Sequence, residues 1–337
     1  MSNTNNFLVS ILVPVFNVEP YVERCCRSLF EQTYENLEFV FVDDCSTDNS
    51  INIIEQVSSE YPSRSGQIQI VRHQKNRGLA ASRNTALEVA KGDFLMLVDS
   101  DDWIEHNAVE LLLQRQLQTN ADIVYGQTTA HYQDYDEDLI EPYYNNKEEM
   151  ILHSTRLVVD HVLWKRLYRR SLFVDNGIRW KEGWDYGEDH YMLPQLYWYA
   201  NKIERIDTII YHYNRWKVGK ESPAIRKIWK MWSNELEIID ALISFFAGKD
   251  KIYVDSLYIT KVDCLLGCMG QSFAHRTRNK YNELASILYA IPEQYLSQAK
   301  FNSADERVLY RYYDSRLIYR AIVKIISKIY VGLGVKI

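Results

Sequence analysis

The segment Phe94-Leu-Met-Leu-Val-Asp99-Ser-Asp101-Asp102-Trp103 constrains this chain more than any other. An apolar run leads directly into three closely spaced carboxylates. Such a run, bounded by turn-forming residues, reads as a strand buried on both faces. The carboxylates repel one another: two unit charges ~4 Å apart interact by about 4 kcal/mol at an effective dielectric of ~20. A hard divalent cation at the carboxyl edge of a parallel sheet removes that repulsion, because Mg²⁺ and Mn²⁺ choose oxygen ligands and pair carboxylates with substrate phosphates. Asp101 is the expected metal ligand and Asp99 a metal or ribose contact. Asp102 is left to cap a helix expected over Trp103–Leu117. A substrate carrying phosphate, linked to a nucleotide, suits such a site.

The surrounding pattern supplies the sheet. Buried strands are expected at 9–16, 37–42, 68–71 and 94–98, with helices at 21–32, around 50–57, and at 79–90. Strand and helix alternate, so the fold class is α/β with a doubly wound, mostly parallel sheet. Ligands bind such sheets at the carboxyl ends of the strands. Asn17, Asp43, Asp44, Asp99 and Asp101 all follow strands and so share one edge. A further strand is expected at 123–125, and the acidic, Tyr-rich segment 134–150 reads as a mobile loop near the mouth of the site.

Three further clusters carry chemistry. In Asp43-Asp44-Cys45-Ser46-Thr47-Asp48 a carboxylate just past a strand can accept from a base N–H or a ribose hydroxyl, although turn formation alone also uses these residues. In Asn76-Arg77-Gly78-Leu-Ala-Ala-Ser-Arg83-Asn84 the loop opens a helix, whose N-terminus favours anions. Arg77 and Arg83 are expected to reach phosphate or base. Gly187-Glu188-Asp189 is placed to face an acceptor, where transfer to an alcohol requires a base for the hydroxyl proton; helix capping is the plainer role. His212, between Tyr211 and Tyr213, reads as a strand-end residue whose contact with metal or diphosphate stays open.

Charge is unevenly spread. Residues 216–337 carry 19 Lys+Arg against 12 Asp+Glu, net +7, so residues 1–215 hold −13 of the overall −6. An acidic catalytic half argues against nucleic-acid binding. The five Cys show no zinc spacing and read as reduced thiols. With no secretory leader expected, the location expected is cytoplasmic. The last segment has Arg316, Arg320, Lys324 and Lys328 along an otherwise Ile-rich stretch. A basic amphipathic helix there would suit the cytoplasmic face of a membrane, with residues 307–337 as the contact.

Taken together, Val9-Ser-Ile-Leu-Val-Pro-Val-Phe-Asn17, Val42-Asp-Asp-Cys-Ser-Thr-Asp48, Asn76–Asn84, Lys91-Gly-Asp-Phe94, Asp99-Ser-Asp-Asp-Trp103, Trp164-Lys-Arg-Leu-Tyr-Arg-Arg170 and Gly187-Glu-Asp189 resemble a family 2 glycosyltransferase of the GT-A fold. The resemblance covers about residues 8–215. It implies a catalytic domain over 1–215 and a helical region over 216–337. It also implies a UDP-linked sugar donor, inverting displacement, Mg²⁺ or Mn²⁺, and a glycan or lipid-linked saccharide as acceptor. On that template Pro14, Val15 and Asn17 line the nucleoside pocket, and Asp43 or Asp44 contacts uracil. Arg77 and Arg83 flank base, ribose or phosphates. Asp99, Ser100 and Asp101 form the element that holds ribose and metal, and Asp189 is the catalytic base. The family commonly has Gly where this chain has Cys45.

Other functions fit less well. A sugar-nucleotide pyrophosphorylase needs a Gly-rich basic phosphate loop after the first strand, and Val15-Phe-Asn17-Val-Glu19 is not one. Hydride transfer lacks its GxGxxG loop. A non-catalytic nucleotide-sugar-binding scaffold predicts no divalent-dependent nucleotide binding.

Overall fold

The computed structural model describes residues 7–144, 146–156, 162–184, 186–216, 225–274 and 278–296. The basic helix and the membrane contact expected over 307–337 fall outside these residues. The chain forms two compact units, Met1–Lys227 and Ile228–Ile337.

The first unit is built on a parallel half-sheet. Strands β1 (Val9–Val15), β2 (Leu37–Asp43), β3 (Ile68–Arg72) and β4 (Phe94–Leu97) pair in parallel in the order β3-β2-β1-β4. Every residue of β1 and β4 is buried, which is why these strands read as unbroken apolar runs. Helix α1 (Val22–Phe30) buries Val22, Cys25, Cys26, Leu29 and Phe30, the spacing of one apolar stripe. Helix α2 (Ser50–Ser59) follows β2. Helix α3 (Leu79–Val89) buries Ala80, Ala81 and Ala86, small side chains that let it lie close against the sheet.

The other half of the sheet is mixed. Beyond β4 the order continues through β8 (Arg166–Arg169), β6 (Ile123–His131), β9 (Ile203–Asn214) and β5 (Trp103–Ile104). Strand β8 runs antiparallel to both β4 and β6, while β6 and β9 are parallel. Strand β7 (Asp136–Leu139) lies off this path and pairs with β6. Helices α4 (Ala108–Thr119), α5 (Lys147–Thr155), the single turn α6 (Ser171–Val174) and α7 (Glu188–Tyr199) complete the unit.

Two expectations are corrected here. The helix expected from Trp103 begins only at Ala108, because Trp103 and Ile104 pair with His212 and Tyr211 of β9. The segment 134–150 is not a loop: it holds the second strand of a hairpin and the start of α5.

In the second unit α8 (Ile225–Phe246) and α9 (Lys251–Ala274) are joined by a turn through Gly248, whose φ is +76°. Lys261 of α9 bonds Asp240 of α8. Helix α10 (Arg278–Tyr289) and the single turn α11 (Glu293–Leu296) follow, and Tyr295 stacks on Tyr258. No helix among the described residues is long and apolar enough to cross a membrane.

Candidate active site

The parallel register carries the ends of β1, β2 and β4 to one edge. Val15 pairs with Asp43, and Leu12 with Leu97, so Asn17, Asp43, Asp44 and Asp99 emerge together. Asn17 adopts φ +50°, a left-handed conformation that Asn tolerates. Its Oδ1 accepts from the Thr47 backbone N–H at 2.8 Å. Asp43 Oδ1 accepts from the Ser46 N–H at 2.8 Å. Cys45 sits between them at φ +65°. A left-handed backbone costs a residue with a side chain about 1–2 kcal/mol, which is the physical reason glycine suits this position. Pro14 and Val15 are buried beneath this loop. Phe16 is 46% exposed. This aromatic face beside Asn17 was missed in the sequence, where the residue is simply the last of an apolar run.

Asp44 is buried and fully engaged by the loop that follows β3. Its Oδ1 meets His73 Nδ1 at 2.7 Å and accepts from the Arg77 N–H at 2.8 Å, and its Oδ2 accepts from the Gly78 N–H at 2.7 Å. The carboxylate thus shapes the loop that opens α3, where Gly78 has φ +90°.

The motif 76–84 binds the segment 180–189 through its polar side chains. Arg77 reaches Glu182 at 2.7 Å. Asn84 exchanges two hydrogen bonds with the backbone of Trp180, at 2.8 and 3.0 Å. Arg83 is only 2% exposed and touches three carboxylates: Asp99 at 3.1 Å, Glu188 at 2.9 Å and Asp189 at 2.8 Å. Burial opposes its charge, but Asp189, Asp99 and Glu188 more than offset this, and its pKa lies above the ordinary value. Arg83 therefore stands between the loop after β4 and the start of α7.

Asp189 lies one residue inside α7, after Gly187 at φ +75°. Its Oδ1 takes the Arg83 bond and its Oδ2 accepts from the Leu163 N–H at 3.2 Å. The carboxylate is oriented from both sides by residues outside its own helix, which capping does not require. Burial raises its pKa from the usual carboxylate range to about 7; Arg83 pulls it down, while Glu188 and Asp99 push it further up. A carboxyl group poised there can accept a proton near neutral pH.

Ser100 is buried, and Asp99 and Asp101 are partly exposed. Asp102 is not a helix cap. It accepts from the Tyr211 hydroxyl at 2.8 Å and the Asn214 N–H at 2.8 Å, tying this loop to β9. Burial, then Asp99 and Asp101, raise its pKa to about 8. His212 Nε2 meets Glu105 at 2.8 Å, its Nδ1 meets His131 at 3.0 Å, and its ring stacks on Trp103. Burial lowers its pKa.

The donor set fits a hard cation held jointly with substrate. Asp99 and Asp101 offer carboxylate oxygens, and Arg83 pairs with Asp99, Glu188 and Asp189. Among the described residues no group of three His, Cys, Asp or Glu gathers to hold an ion unaided. An ion here would need phosphate oxygens and water as well, which is how Mg²⁺ is commonly bound.

The family described as Glycosyl transferase family 2 matches residues 10–177. Glycosyltransferase GlyG of Streptococcus pneumoniae serotype 4 is 30% identical over 62% of this chain and 71% of its own length. The crystal structure of S. aureus TarS 1-349 in complex with UDP-GlcNAc superposes with a TM-score of 0.71, covering 95% of this chain and 91% of that one at 20% identity. The mannosyltransferase PcManGT from Pyrobaculum calidifontis, in complex with GDP-Man and Mn²⁺, has a TM-score of 0.50 over 94% of this chain and 83% of its own, at 15% identity. With the sheet, the acidic loop after β4 and these relatives together, the chain belongs to glycosyl transferase family 2 and is a glycosyltransferase of the GT-A fold.

Proposed function

We propose that this glycosyltransferase moves a sugar from a UDP-linked donor to a hydroxyl of a saccharide acceptor in one inverting displacement, with Asp189 as the base. The observation that carries this reading is the shared guanidinium: Arg83 bonds both Asp99 on the donor side and Asp189 on the acceptor side. Both carboxylates thus border a single reaction centre. Asn17, Asp43 and the exposed face of Phe16 form the nucleoside end. The acceptor oxygen attacks the anomeric carbon, its proton passes to Asp189, and the bond from that carbon to the UDP phosphate oxygen breaks. The likeness to a UDP-GlcNAc-bound fold supports the donor class. Membership of this family leaves the pyrophosphorylase reading without support.

Asp101 and Asp99 would hold Mg²⁺ or Mn²⁺. The ion, when bound, offsets charge on the departing diphosphate. The basic stretch 307–337 would contact an anionic membrane surface, which suits a lipid-linked acceptor.

Calorimetry of UDP-GlcNAc binding with Mn²⁺ and with EDTA tests the donor and metal together. Binding that needs the ion and weakens about tenfold or more in Asp101→Ala supports the assignment. Equal affinity in EDTA contradicts it.

A further inference from the structure

The β6–β7 hairpin carries an aromatic surface that the donor site does not use. Tyr132 and Tyr135 stack with centroids 4.5 Å apart and planes at 15°. The Tyr132 N–H donates to the Tyr135 carbonyl at 2.9 Å, so a tight turn holds the pair. The Arg215 guanidinium lies 5.6 Å from the Tyr132 ring, and the Arg215 N–H donates to the His131 carbonyl at 2.8 Å. Trp216 follows directly. Tyr135 is 58% exposed and Trp216 51%.

This surface begins beside the catalytic loop. Asn214, next to Arg215, donates its side-chain amide to the Asp101 carbonyl at 3.1 Å and its backbone N–H to Asp102. Across the sheet the proposed nucleoside residues lie at the ends of β1 and β2, and the aromatic residues lie at the ends of β6 and β9, beyond β4 and β8. The loop after β4 comes between the two. A molecule resting on the rings therefore approaches the reaction centre from the side opposite the nucleotide.

We infer that Tyr132, Tyr135, Arg215 and Trp216 form the acceptor subsite, and that it takes an uncharged saccharide chain. The inference rests on the glycosyltransfer reading above. Flat aromatic faces cover the apolar C–H face of a pyranose at low entropic cost, while a guanidinium and carboxylates along the edge satisfy its hydroxyls. The hairpin also sets the charge of the ligand. Asp134, Asp136, Glu137 and Asp138 are all exposed within five residues, with Asp136 and Asp138 turned toward His131 and Thr129. A polyanionic acceptor or an anionic lipid surface would meet these four carboxylates, which among the described residues outnumber the guanidinium groups beside them, Arg215 and Arg24.

Saturation-transfer NMR and calorimetry on the full chain test this, with chitotetraose and cellotetraose as neutral probes, heparin tetrasaccharide as an anionic probe, and phosphatidylglycerol vesicles. At least one neutral probe should bind. Tyr135→Ala and Trp216→Ala, both at exposed positions, should each weaken it about tenfold while UDP-GlcNAc affinity changes less than about twofold. The inference is overturned by unchanged neutral-probe affinity in both variants, by no neutral probe binding, or by a preference for heparin or vesicles that these variants abolish. UDP-GlcNAc binding in the unaltered chain is scored separately: its absence undermines the glycosyltransfer reading, whereas donor binding without saccharide on the ridge removes this inference alone.

Discussion

Arg83 bonds Asp99 at 3.1 Å and Asp189 at 2.8 Å through the two terminal nitrogens of one buried guanidinium. The two carboxylates are far apart in sequence, on the loop after β4 and on the first turn of α7. Their spacing is set by a planar group of fixed dimensions, and this is a demand that lysine cannot meet.

Arg83→Lys keeps the charge and loses the fork. Removing a buried partner outright typically costs about 3–5 kcal/mol, so Arg83→Gln should unfold at clearly lower temperature. Arg83→Lys should unfold much closer to the parent yet turn over donor about 10²-fold more slowly, since a misplacement near 1 Å has that scale of effect. Steady-state turnover and thermal melts of both variants check this; a Lys variant with parental turnover would show that bridging is unimportant.

Asp102 predicts a pH dependence of stability. Its folded pKa is raised to about 8 by burial and by Asp99 and Asp101, against about 3.9 in an unfolded chain. A raised value means the folded form holds the proton more tightly. The stability this contributes is complete below pH ~4 and is lost as pH rises through about 8. Chemical unfolding in EDTA between about pH 4 and about pH 8, the window set by these two values, should show that decline, with a shallower slope in Asp102→Asn. An identical slope in the variant would assign the proton elsewhere.

The basic tail predicts salt-sensitive membrane contact. Each cation near an anionic surface contributes about 1 kcal/mol. Deleting residues 307–337 should release the protein from phosphatidylglycerol vesicles in a sedimentation assay, and raised salt should release the full chain. Sedimentation unaffected by the deletion would contradict the proposed membrane contact.

Much of the parallel half was legible because its code is local. Buried strands such as Val9–Val15 are continuous apolar runs, and each is punctuated by Asn, Asp or Gly at the edge where ligands bind. The carboxylates of the loop after β4 and the base candidate Asp189 could be named for the same reason, since their residue types sit at turn positions. What escaped depends on partners distant in sequence. Trp103 and Ile104 continue the apolar spacing of Val109, Leu112 and Leu113, so they read as helix; only pairing with Tyr211 and His212 makes them a strand. Asp102 looked like a cap because Tyr211 and Asn214, which bind it, lie over a hundred residues away. Asp43 and Asp44 are indistinguishable by type, and only the fold shows that Asp44 accepts from the backbone N–H groups of Arg77 and Gly78 while Asp43 accepts from that of Ser46. The hairpin of β7 was hidden because its residues face solvent on both sides and show no alternation.

The most direct measurement is UDP-GlcNAc turnover by Asp189→Asn, followed against pH and paired with UDP affinity. In the parent, turnover should rise with pH through about 7, where burial has moved the Asp189 carboxyl, because the base acts only when ionised. The variant should bind UDP within about twofold of the parent and lose roughly 10²–10⁴-fold in turnover, with the inflection near pH 7 gone. Parental turnover in Asp189→Asn, or an unchanged pH profile, would contradict the assignment of Asp189 as base.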